Sequence, residues 1–261
     1  MIIRHAIMNK LFLDIGNSFI KWSTVINGEY NVHHSIQIND LLSNGLDSFN
    51  LESFPDTVYF STVANADNVD ALKLLIQSEW QVIPIQLTAQ KSCCGLTSGY
   101  ENFNQLGDDR WFAMQGAIGI YNVPTIIVDA GTALTIDAVV DGMHLGGLIV
   151  PGMNMMRQSL ANNTADLLDV SNSYKNSDNN EIQLLATNTS SAILAGTLYM
   201  AAAFINQVIN DLNNQVGTQF KVLMTGGESQ QLCRLLDYEY DYVPDLVLQG
   251  MVNVEESVKN S

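Results

Sequence analysis

The chain has 261 residues, of which 47% are hydrophobic and 15% charged, which is enough for one large domain or two of ordinary size and excludes a wholly disordered protein. Its net charge of -16, with only 11 Lys and Arg residues, argues against a nucleic-acid partner, because phosphate backbones are bound by clustered basic side chains. A nucleotide substrate is compatible with this charge, since backbone N–H groups and a metal ion can hold its phosphates.

Strand-like and helix-like segments alternate along the first half of the chain, a pattern typical of an α/β fold. The sequence predicts strands at 10–16, 19–26, 56–63 and 81–87, and helices near 39–48 and at 66–80. Asn27-Gly28 is a hairpin turn signal after the second strand. A further helix at 108–120 is expected to link the two halves.

The second half repeats this alternation. Its predicted strands lie at 125–131, 133–140, 143–150 and 220–227, and its predicted helices lie near 153–160, 190–212 and 229–237. Asp141-Gly142 is again a hairpin turn signal, and the polar stretch 171–183 is expected to be a surface loop.

Several kinds of site and location are disfavoured by what the sequence lacks. We expect no apolar stretch long enough to cross a bilayer, no signal peptide and no zinc site, since the four histidines show no zinc-binding spacing. The odd number of cysteines suits reduced thiols in a cytoplasmic protein. Cys93 and Cys94 are expected to be two small, buried thiols.

An internal duplication is visible without any alignment. The stretches LFLDIGNSF at 11–19 and IIVDAGTAL at 126–134 each run from an apolar strand through an Asp-x-Gly turn. The hairpin glycines Gly28 and Gly142 then follow Asp14 and Asp129 by 14 and 13 residues. We therefore expect two similar domains, at 1–118 and 119–261.

The two Asp-x-Gly turns combine features that suit a nucleotide. A strand entering a glycine turn exposes N–H groups that can cradle phosphate, and the hydroxyls of Ser18 and Thr132 can add hydrogen bonds. A carboxylate in such a turn repels phosphate unless a cation such as Mg²⁺ stands between them. The alternative for each turn taken alone is an Asx-turn at a strand end.

The stretch GYENFNQLGDDRWFAMQGA at 99–117 carries the densest set of reactive side chains. Asp108, Asp109 and Arg110 fall at a predicted helix start, where the helix dipole favours anions. An Asp here is either a simple cap or a general base for a substrate hydroxyl, and Arg110 suits an anionic substrate group.

Taken together, DIGNS, GYENFNQLGDDRW, DAGTALTIDAV, GGLIVPG, NTSSAILAG and TGG occur in an order that resembles a type III pantothenate kinase. The resemblance covers residues 11–230 and implies an α/β, duplicated ribonuclease-H-like fold of the actin and acetate-kinase type, with two similar domains around a nucleotide cleft. It implies ATP-dependent phosphorylation of pantothenate, the first step of coenzyme A biosynthesis, by a homodimer.

The resemblance also implies roles for individual residues. The first phosphate loop would comprise Asp14, Ile15, Gly16, Asn17, Ser18, Phe19, Ile20 and Lys21, with Thr132 as a further ATP contact. Asp14 would lie near Mg²⁺, directly or through water, and Asp129 would bind a monovalent cation, K⁺ or ammonium. The pantothenate pocket would comprise Tyr100, Gly107, Asp108, Asp109, Arg110 and Thr189, with Asp109 as the proton acceptor.

Three positions depart from the family pattern: Ser18 replaces Thr, Phe103 replaces Pro, and Asp108 adds a carboxylate beside Asp109. The like charge is expected to raise the pKa of one of the two carboxyls. Two alternatives stay open, namely a regulatory relative resembling the Bvg accessory factor and a kinase for a sugar or acetate. The intact Gly-x-Asp-Arg segment disfavours the first, and substrate competition would decide the second.

Overall fold

The computed structural model describes residues 9–162 and 184–259, so the predicted surface loop at 171–183 lies outside the described part of the chain. The chain forms two compact units. The first contains the described residues up to Ile120 and those from Asp245 onward, and the second contains those between Tyr121 and Pro244.

The first unit begins with a sheet and its flanking helices. In chain order its elements are β1 (Asn9–Ile15), β2 (Phe19–Ile26), β3 (Glu29–Gln37), α1 (Ile38–Asn44), β4 (Thr57–Thr62), α2 (Ala66–Trp80), β5 (Ile85–Gln86), β6 (Ser92–Cys93), β7 (Leu96–Thr97) and α3 (Asp108–Ile120). Short 3-10 helices lie at Leu46–Phe49 and Phe103–Gln105.

The chain then forms the second unit and returns to the first. The elements of the second unit are β8 (Thr125–Ala130), β9 (Ala133–Val140), β10 (Met143–Pro151), α4 (Met153–Asn162), α5 (Thr189–Val216), β11 (Lys221–Thr225), α6 (Ser229–Leu232) and β12 (Tyr240–Tyr242), with a 3-10 helix at Cys233–Leu235. The last helix, α7 (Leu246–Lys259), belongs to the first unit.

The two units share one sheet topology. The order is β3-β2-β1-β4-β5 in the first unit and β10-β9-β8-β11-β12 in the second. In each, the first three strands in sequence are antiparallel neighbours, and the fourth and fifth run parallel to the first. This repetition confirms the predicted duplication and the ribonuclease-H-like fold.

The hairpins form where the turn signals predicted them. Both residues of Asn27-Gly28 have positive φ, at 55° and 84°, and those of Asp141-Gly142 lie at 48° and 74°. Two consecutive residues with positive φ are the signature of the type I′ turn, whose twist matches that of the flanking strands. β2, α2, α3 and β9 have the bounds that the sequence predicts.

Each unit buries its own apolar core. The middle residues of β1, Leu11 to Leu13, are fully buried, as expected of a central strand covered on both faces. In the second unit, Leu198, Ile205 and Ile209 of α5 pack against β8 and β11. The cores thus lie on β1 and β8, which carry Asp14 and Asp129 as their next-to-last residues.

The expectation about membrane-spanning segments needs correction. Within the described residues, α5 is long and apolar enough to cross a bilayer by length and composition, although 39% of its most apolar window is buried. Its apolar face belongs to the core of the second unit, which is the ordinary reason for such a composition in a core helix.

Helix α7, which the sequence analysis did not predict, packs against α3 at very short range. A Cβ on Gly116 would overlap the carbonyl oxygen of Leu246, and a Cβ on Gly250 would overlap that of Phe112. Glu255 also accepts hydrogen bonds from Lys10 Nζ at 2.5 Å and Tyr59 Oη at 2.9 Å. The expected boundary assigned this segment to the second domain, whereas these contacts tie it to the first unit.

Replacing Gly116 by Ala is expected to lower the free energy of unfolding by about 1–3 kcal/mol, because the added methyl group must displace the backbone of α7. Urea unfolding followed by circular dichroism measures the change. The matched control is Gly196→Ala within α5, where a Cβ meets no atom outside its own helix within 4 Å. That control should be neutral or stabilising by up to about 1 kcal/mol, and equal losses in both variants would contradict the close packing of α3 on α7.

Candidate active site

The turn after β1 presents backbone groups to solvent. Asp14 lies opposite Lys21 on β2 and Ser61 on β4, and the N–H of Gly16 donates to the carbonyl oxygen of Phe19 at 2.9 Å. Residues 17–19 are exposed. This exposed stretch of the predicted phosphate loop can therefore offer backbone groups and the hydroxyl of Ser18 to a ligand, whereas the N–H of Gly16 is already used within the turn.

Ile15 and Ile20 of the same predicted loop have side chains buried in the core of the first unit. Their part in any ligand contact is thus limited to the backbone. Burying them on either side of the turn fixes its ends, since a strand that slipped by one residue would expose both.

The turn after β8 is the structural counterpart in the second unit. The N–H of Gly131 donates to the carbonyl oxygen of Ala133 at 3.0 Å, as Gly16 does to Phe19. The N–H of Gly152 donates to the carbonyl oxygen of Thr132 at 3.0 Å, and a Cβ on Gly152 would overlap the backbone of the turn. Only glycine at 152 lets the start of α4 approach so closely.

A third segment, TGGES at 225–229, meets the same turn. Gly226 has φ of 90°, and a Cβ there would overlap Asp129 Oδ1 and the carbonyl oxygen of Ala130. The N–H of Glu228 donates to that carbonyl oxygen at 2.9 Å. Three segments thus meet at the turn that follows Asp129, and of these the loop at Gly226 approaches the Asp129 carboxylate itself. The sequence marks this meeting point by its glycines alone.

Glu228 is a site residue that sequence reasoning missed. Its buried carboxylate accepts from the N–H groups of Met153 at 2.9 Å and Asn154 at 3.3 Å, the first residues of α4. Burial raises its pKa, and the two N–H groups and Arg157 oppose the rise. A carboxylate at a helix N-terminus is favoured by the helix dipole. Glu228 therefore holds the loop at 225–229 against the start of α4.

In the first unit, the two adjacent aspartates at the N-terminus of α3 accept hydrogen bonds from different donors. Asp108 Oδ1 accepts from the N–H of Ala89 at 2.7 Å, whereas Asp109 Oδ1 accepts from the N–H of Arg110 at 2.8 Å. The Asp109 carboxylate also fills the space that a Cβ on Gly107 would need. Asp108 therefore anchors a neighbouring segment, and Asp109 folds back over the helix start.

Arg110 is buried and directed towards Tyr100. Its Nη1 donates to Tyr100 Oη at 2.7 Å, and its guanidinium carbon lies 5.5 Å from the centre of that ring. The hydrogen bond fixes the planar guanidinium, which suits bidentate binding of a carboxylate. The structure thus brings Tyr100, Gly107, Asp108, Asp109 and Arg110 together in one segment.

Thr189, predicted as a further substrate contact, is the exposed first residue of α5 in the second unit. Asn188 caps this helix by accepting from the N–H of Ser191 at 2.9 Å. Phe103, at a position where the family often has Pro, lies in a 3-10 helix capped by Asn102, whose Oδ1 accepts from the N–H of Asn104 at 3.2 Å.

Whether a cation can bind near these residues depends on the oxygen atoms that they offer as ligands. Within residues 9–162 and 184–259, no group of three or more His, Cys, Asp or Glu side chains is placed to hold a metal. A site near Asp14 or Asp129 must therefore combine one carboxylate with backbone, hydroxyl or ligand oxygens. Mg²⁺ in phosphoryl-transfer enzymes uses one or two carboxylates plus substrate phosphates, so the donor set fits.

Comparison with known proteins decides the family. The sequence model that describes the type III pantothenate kinase family matches residues 10–211, which is most of the chain. The chain belongs to the type III pantothenate kinase family. The reaction is the ATP-dependent phosphorylation of pantothenate, which confirms the function expected from the motifs.

The kinase has similar relatives across nearly its full length. A type III pantothenate kinase of Hydrogenovibrio crunogenus is 43% identical over 250 residues, covering 95% of this chain and 99% of the relative. Another, of Nitrosococcus oceani, is 34% identical over 255 residues, covering 94% of this chain and 92% of the relative.

Solved structures confirm the fold class of the kinase. A putative Baf family transcriptional activator from Campylobacter jejuni superimposes with a TM-score of 0.57 at 22% identity, covering 96% of this chain and 100% of that one. Component A of (R)-2-hydroxyglutaryl-CoA dehydratase from Acidaminococcus fermentans gives 0.53 at 15% identity, covering 97% and 98%. At such identities the likeness shows the fold alone, so it does not favour the regulatory alternative.

The environment of Asp108 generates a pH prediction. Burial raises the pKa of Asp108 above its usual value, the N–H of Ala89 lowers it, and the charge of Asp109 raises it further. A raised pKa means that the folded state holds this proton more tightly than the unfolded state. The stability that this proton contributes to the folded state is thus fully present below the pKa that Asp108 has in the unfolded chain. It is lost as the pH rises through the pKa that Asp108 has in the folded protein.

Asp108→Asn keeps an oxygen that can accept from Ala89 but has no proton to lose. The wild type is therefore expected to lose stability relative to Asp108→Asn as the pH rises through the acidic range above about 4. Urea unfolding of both proteins at a series of pH values measures the difference. A difference that stays constant with pH would contradict the raised pKa.

Proposed function

We propose that the substrate segment, residues 100–110, binds pantothenate and that Asp109 is the general base for its primary hydroxyl. The observation that carries this proposal is that the two aspartates at the start of α3 accept from N–H groups in different places. Asp108 accepts from Ala89, 19 residues earlier in the chain, whereas Asp109 accepts from its neighbour, the buried Arg110. A carboxylate used as an anchor for another segment is a poor proton acceptor, so Asp109 is the better candidate.

In this proposal Arg110 binds the carboxylate of pantothenate. Its guanidinium is held by Tyr100 Oη, so little side-chain freedom remains to be lost on binding. Holding the substrate carboxylate at one end orients its hydroxyl towards the carboxylate of Asp109. Positioning of this kind supplies much of the rate enhancement in phosphoryl transfer.

We also propose that the two Asp-x-Gly turns bind ATP. The backbone N–H groups of the exposed residues 17–19 and the hydroxyls of Ser18 and Thr132 would hold phosphate oxygens, with Lys21 opposite Asp14 as a nearby positive charge. Few basic side chains are available, so backbone groups must do much of the binding. Thr189 would add a substrate contact from the start of α5.

Cations complete the proposed site. Asp14 would hold Mg²⁺ and Asp129 a monovalent cation, K⁺ or ammonium. When bound, these ions neutralise the negative charge that spreads over the phosphate oxygens during transfer. The closeness of the Ala130 carbonyl and the Asp129 carboxylate at Gly226 supports this assignment, since oxygens of these kinds are the donors such ions take.

The remaining parts of the proposal concern assembly and location. The kinase is proposed to be a cytoplasmic homodimer that has neither a nucleic-acid nor a membrane partner. The acidic composition supports the absence of nucleic acid, because few basic side chains are available to neutralise phosphates.

Asp109→Asn is expected to lower kcat for pantothenate-dependent ADP release by about 100- to 10,000-fold, because the amide cannot accept the hydroxyl proton. Steady-state kinetics on folded protein measure it. Asp67→Asn is the matched control, since Asp67 is an exposed aspartate in the first turn of α2. Asp108→Asn should lose much less activity than Asp109→Asn.

The same assay is run with and without K⁺, and with sugars in place of pantothenate. Loss of turnover without K⁺ would support the proposed cation. A kcat in Asp109→Asn close to that of the Asp67→Asn control would exclude Asp109 as the base, whatever the cation dependence.

Tyr100→Phe removes the acceptor for Arg110 Nη1 and should raise the KM for pantothenate by about 10- to 100-fold, the range for a lost hydrogen bond to a charged group. The KM for ATP should change little, and the two constants are measured in parallel. Tyr242→Phe, a partly exposed tyrosine at the end of β12, is the control. A rise confined to the KM for ATP would contradict the proposed placing of pantothenate.

A further inference from the structure

The two adjacent cysteines lie on a small hairpin that the proposed reaction does not use. The dithiol hairpin, residues 91–98, consists of β6, the turn Cys94-Gly95, β7 and the flanking residues Lys91 and Ser98. Contrary to the expectation of buried thiols, Cys94 is exposed and Cys93 is half-buried. Neither cysteine therefore lies in the core of the first unit.

The side chains of this pair converge. Cys93 Sγ and Cys94 Sγ lie 2.9 Å apart, and Ser257 Oγ of α7 lies 3.0 Å from Cys94 Sγ and 3.6 Å from Cys93 Sγ. Cys94 Sγ also lies 3.8 Å from the carbonyl oxygen of Asn253. Two thiols and a hydroxyl thus meet at one point on the surface of the first unit.

The backbone that produces this convergence is unusual for cysteine. Cys94 has φ of 50° and Gly95 has φ of 84°, so Cys94 occupies the first position of a two-residue turn of the I′ kind. Asn, Asp or Gly is usual there, because a side chain at positive φ is strained. Strained positions of this type concentrate at functional sites, and an exposed thiol gains little from packing that could explain its place.

A direct bond between the two sulfurs is disfavoured by chain geometry. Consecutive Cα atoms lie about 3.8 Å apart across a trans peptide, whereas disulfides usually join Cα atoms about 4.4–6.8 Å apart. A single atom bonded to both sulfurs does not require them to close to bonding distance. The pair is therefore better arranged to share a bridging atom than to form a disulfide.

We propose that Cys93 and Cys94 form a binding site for a soft, thiophilic element, of which a trivalent arsenical is the ligand class that fits best. Thiolate sulfur selects soft ligands over hard ones. With an arsenoxide, R–As=O, two S–H bonds break, two S–As bonds form, and the oxygen leaves with both protons as water. The step is a condensation, so it needs neither an oxidant nor a reductant.

The protonation of Cys94 favours this chemistry over disulfide exchange. Local desolvation and the hydrogen bond with Cys93 raise the pKa of Cys94 to about 11, and the hydrogen bond with Ser257 opposes the rise. Attack on a disulfide requires the thiolate, which is scarce at neutral pH when the pKa is high. Condensation with an arsenoxide instead delivers the thiol protons to the departing oxygen.

The location of the site couples it to the substrate segment defined above. The N–H of Ser98 donates to the carbonyl oxygen of Lys91 at 2.8 Å, and Ser98 Oγ accepts from the N–H of Tyr100 at 3.3 Å. Gln115 of α3 donates to the carbonyl oxygen of Cys93 at 3.0 Å. A ligand that displaces the hairpin therefore acts on Tyr100, at one end of the segment proposed to bind pantothenate, and on α3, the helix that begins at its other end.

The test uses phenylarsine oxide with the reduced full-length protein and intact-mass spectrometry. The expected result is one adduct per chain with loss of one water, removed by ethanedithiol and not by an equal concentration of a monothiol. Cys93→Ser and Cys94→Ser should each abolish the stable adduct, and Cys233→Ser, at the third cysteine, should keep it. An adduct that survives in Cys93→Ser, or its absence from folded wild type, would overturn the proposal.

A second readout concerns activity and rests on the proposed pantothenate segment. The adduct should raise the KM for pantothenate about fivefold or more, the lower range of coupling between two sites, with a smaller effect on the KM for ATP. If the mass adduct forms while both constants stay unchanged, the site stands and its coupling to the substrate segment is wrong. A mass lower by two hydrogens after mild oxidation, with no arsenical adduct, would favour a disulfide and contradict the bridging site.

Discussion

Close approach of backbone to backbone around Asp129 is the constraint on which the second unit depends. Three segments meet there: the turn after β8, the start of α4 at Gly152 and the loop at Gly226. No side chain separates them, so their peptide groups pack directly on one another beside the half-buried Asp129. Glu228 completes the arrangement by binding both the carbonyl oxygen of Ala130, through its N–H, and the first turn of α4, through its carboxylate.

In the first unit, the equivalent turn after β1 is held by different groups. Where Glu228 bonds to Ala130, the carbonyl oxygen of Ile15 accepts from the N–H of Val63 and the hydroxyl of Thr62, each at 3.2 Å. The β1–β2 turn is also one residue longer, since Asp14 pairs with Lys21 and Asp129 with Thr135. The duplicated units have thus kept the position of the aspartate and changed the groups that support it.

Much of the fold follows from local sequence signals. The positive φ values of Asn27-Gly28 and Asp141-Gly142 follow from residue types that tolerate them, so both hairpins could be predicted from the sequence. The predicted strand at 81–87 shrinks to Ile85–Gln86, because Pro84 has no N–H to donate to a ladder.

Features that depend on distant partners could not be predicted in this way. Glu228 contacts a helix that lies 75 residues earlier in the chain, and nothing in TGGES shows that its carboxylate is buried. Likewise, the difference in hydrogen bonding between Asp108 and Asp109 depends on Ala89, which lies 19 residues before Asp108. The motifs located the candidate site, and only the fold assigned partners to its carboxylates.

The return of α7 to the first unit has a consequence for synthesis on the ribosome. Residues from Asp245 onward are translated after the whole of the second unit, yet they cover α3, the helix that begins with Asp108 and Asp109. Domains generally fold in the order in which they emerge. Here the chain of the second unit is complete before that of the first, and the helix carrying the proposed base stays uncovered until α7 has left the exit tunnel, so the first unit can finish folding only at the end of translation.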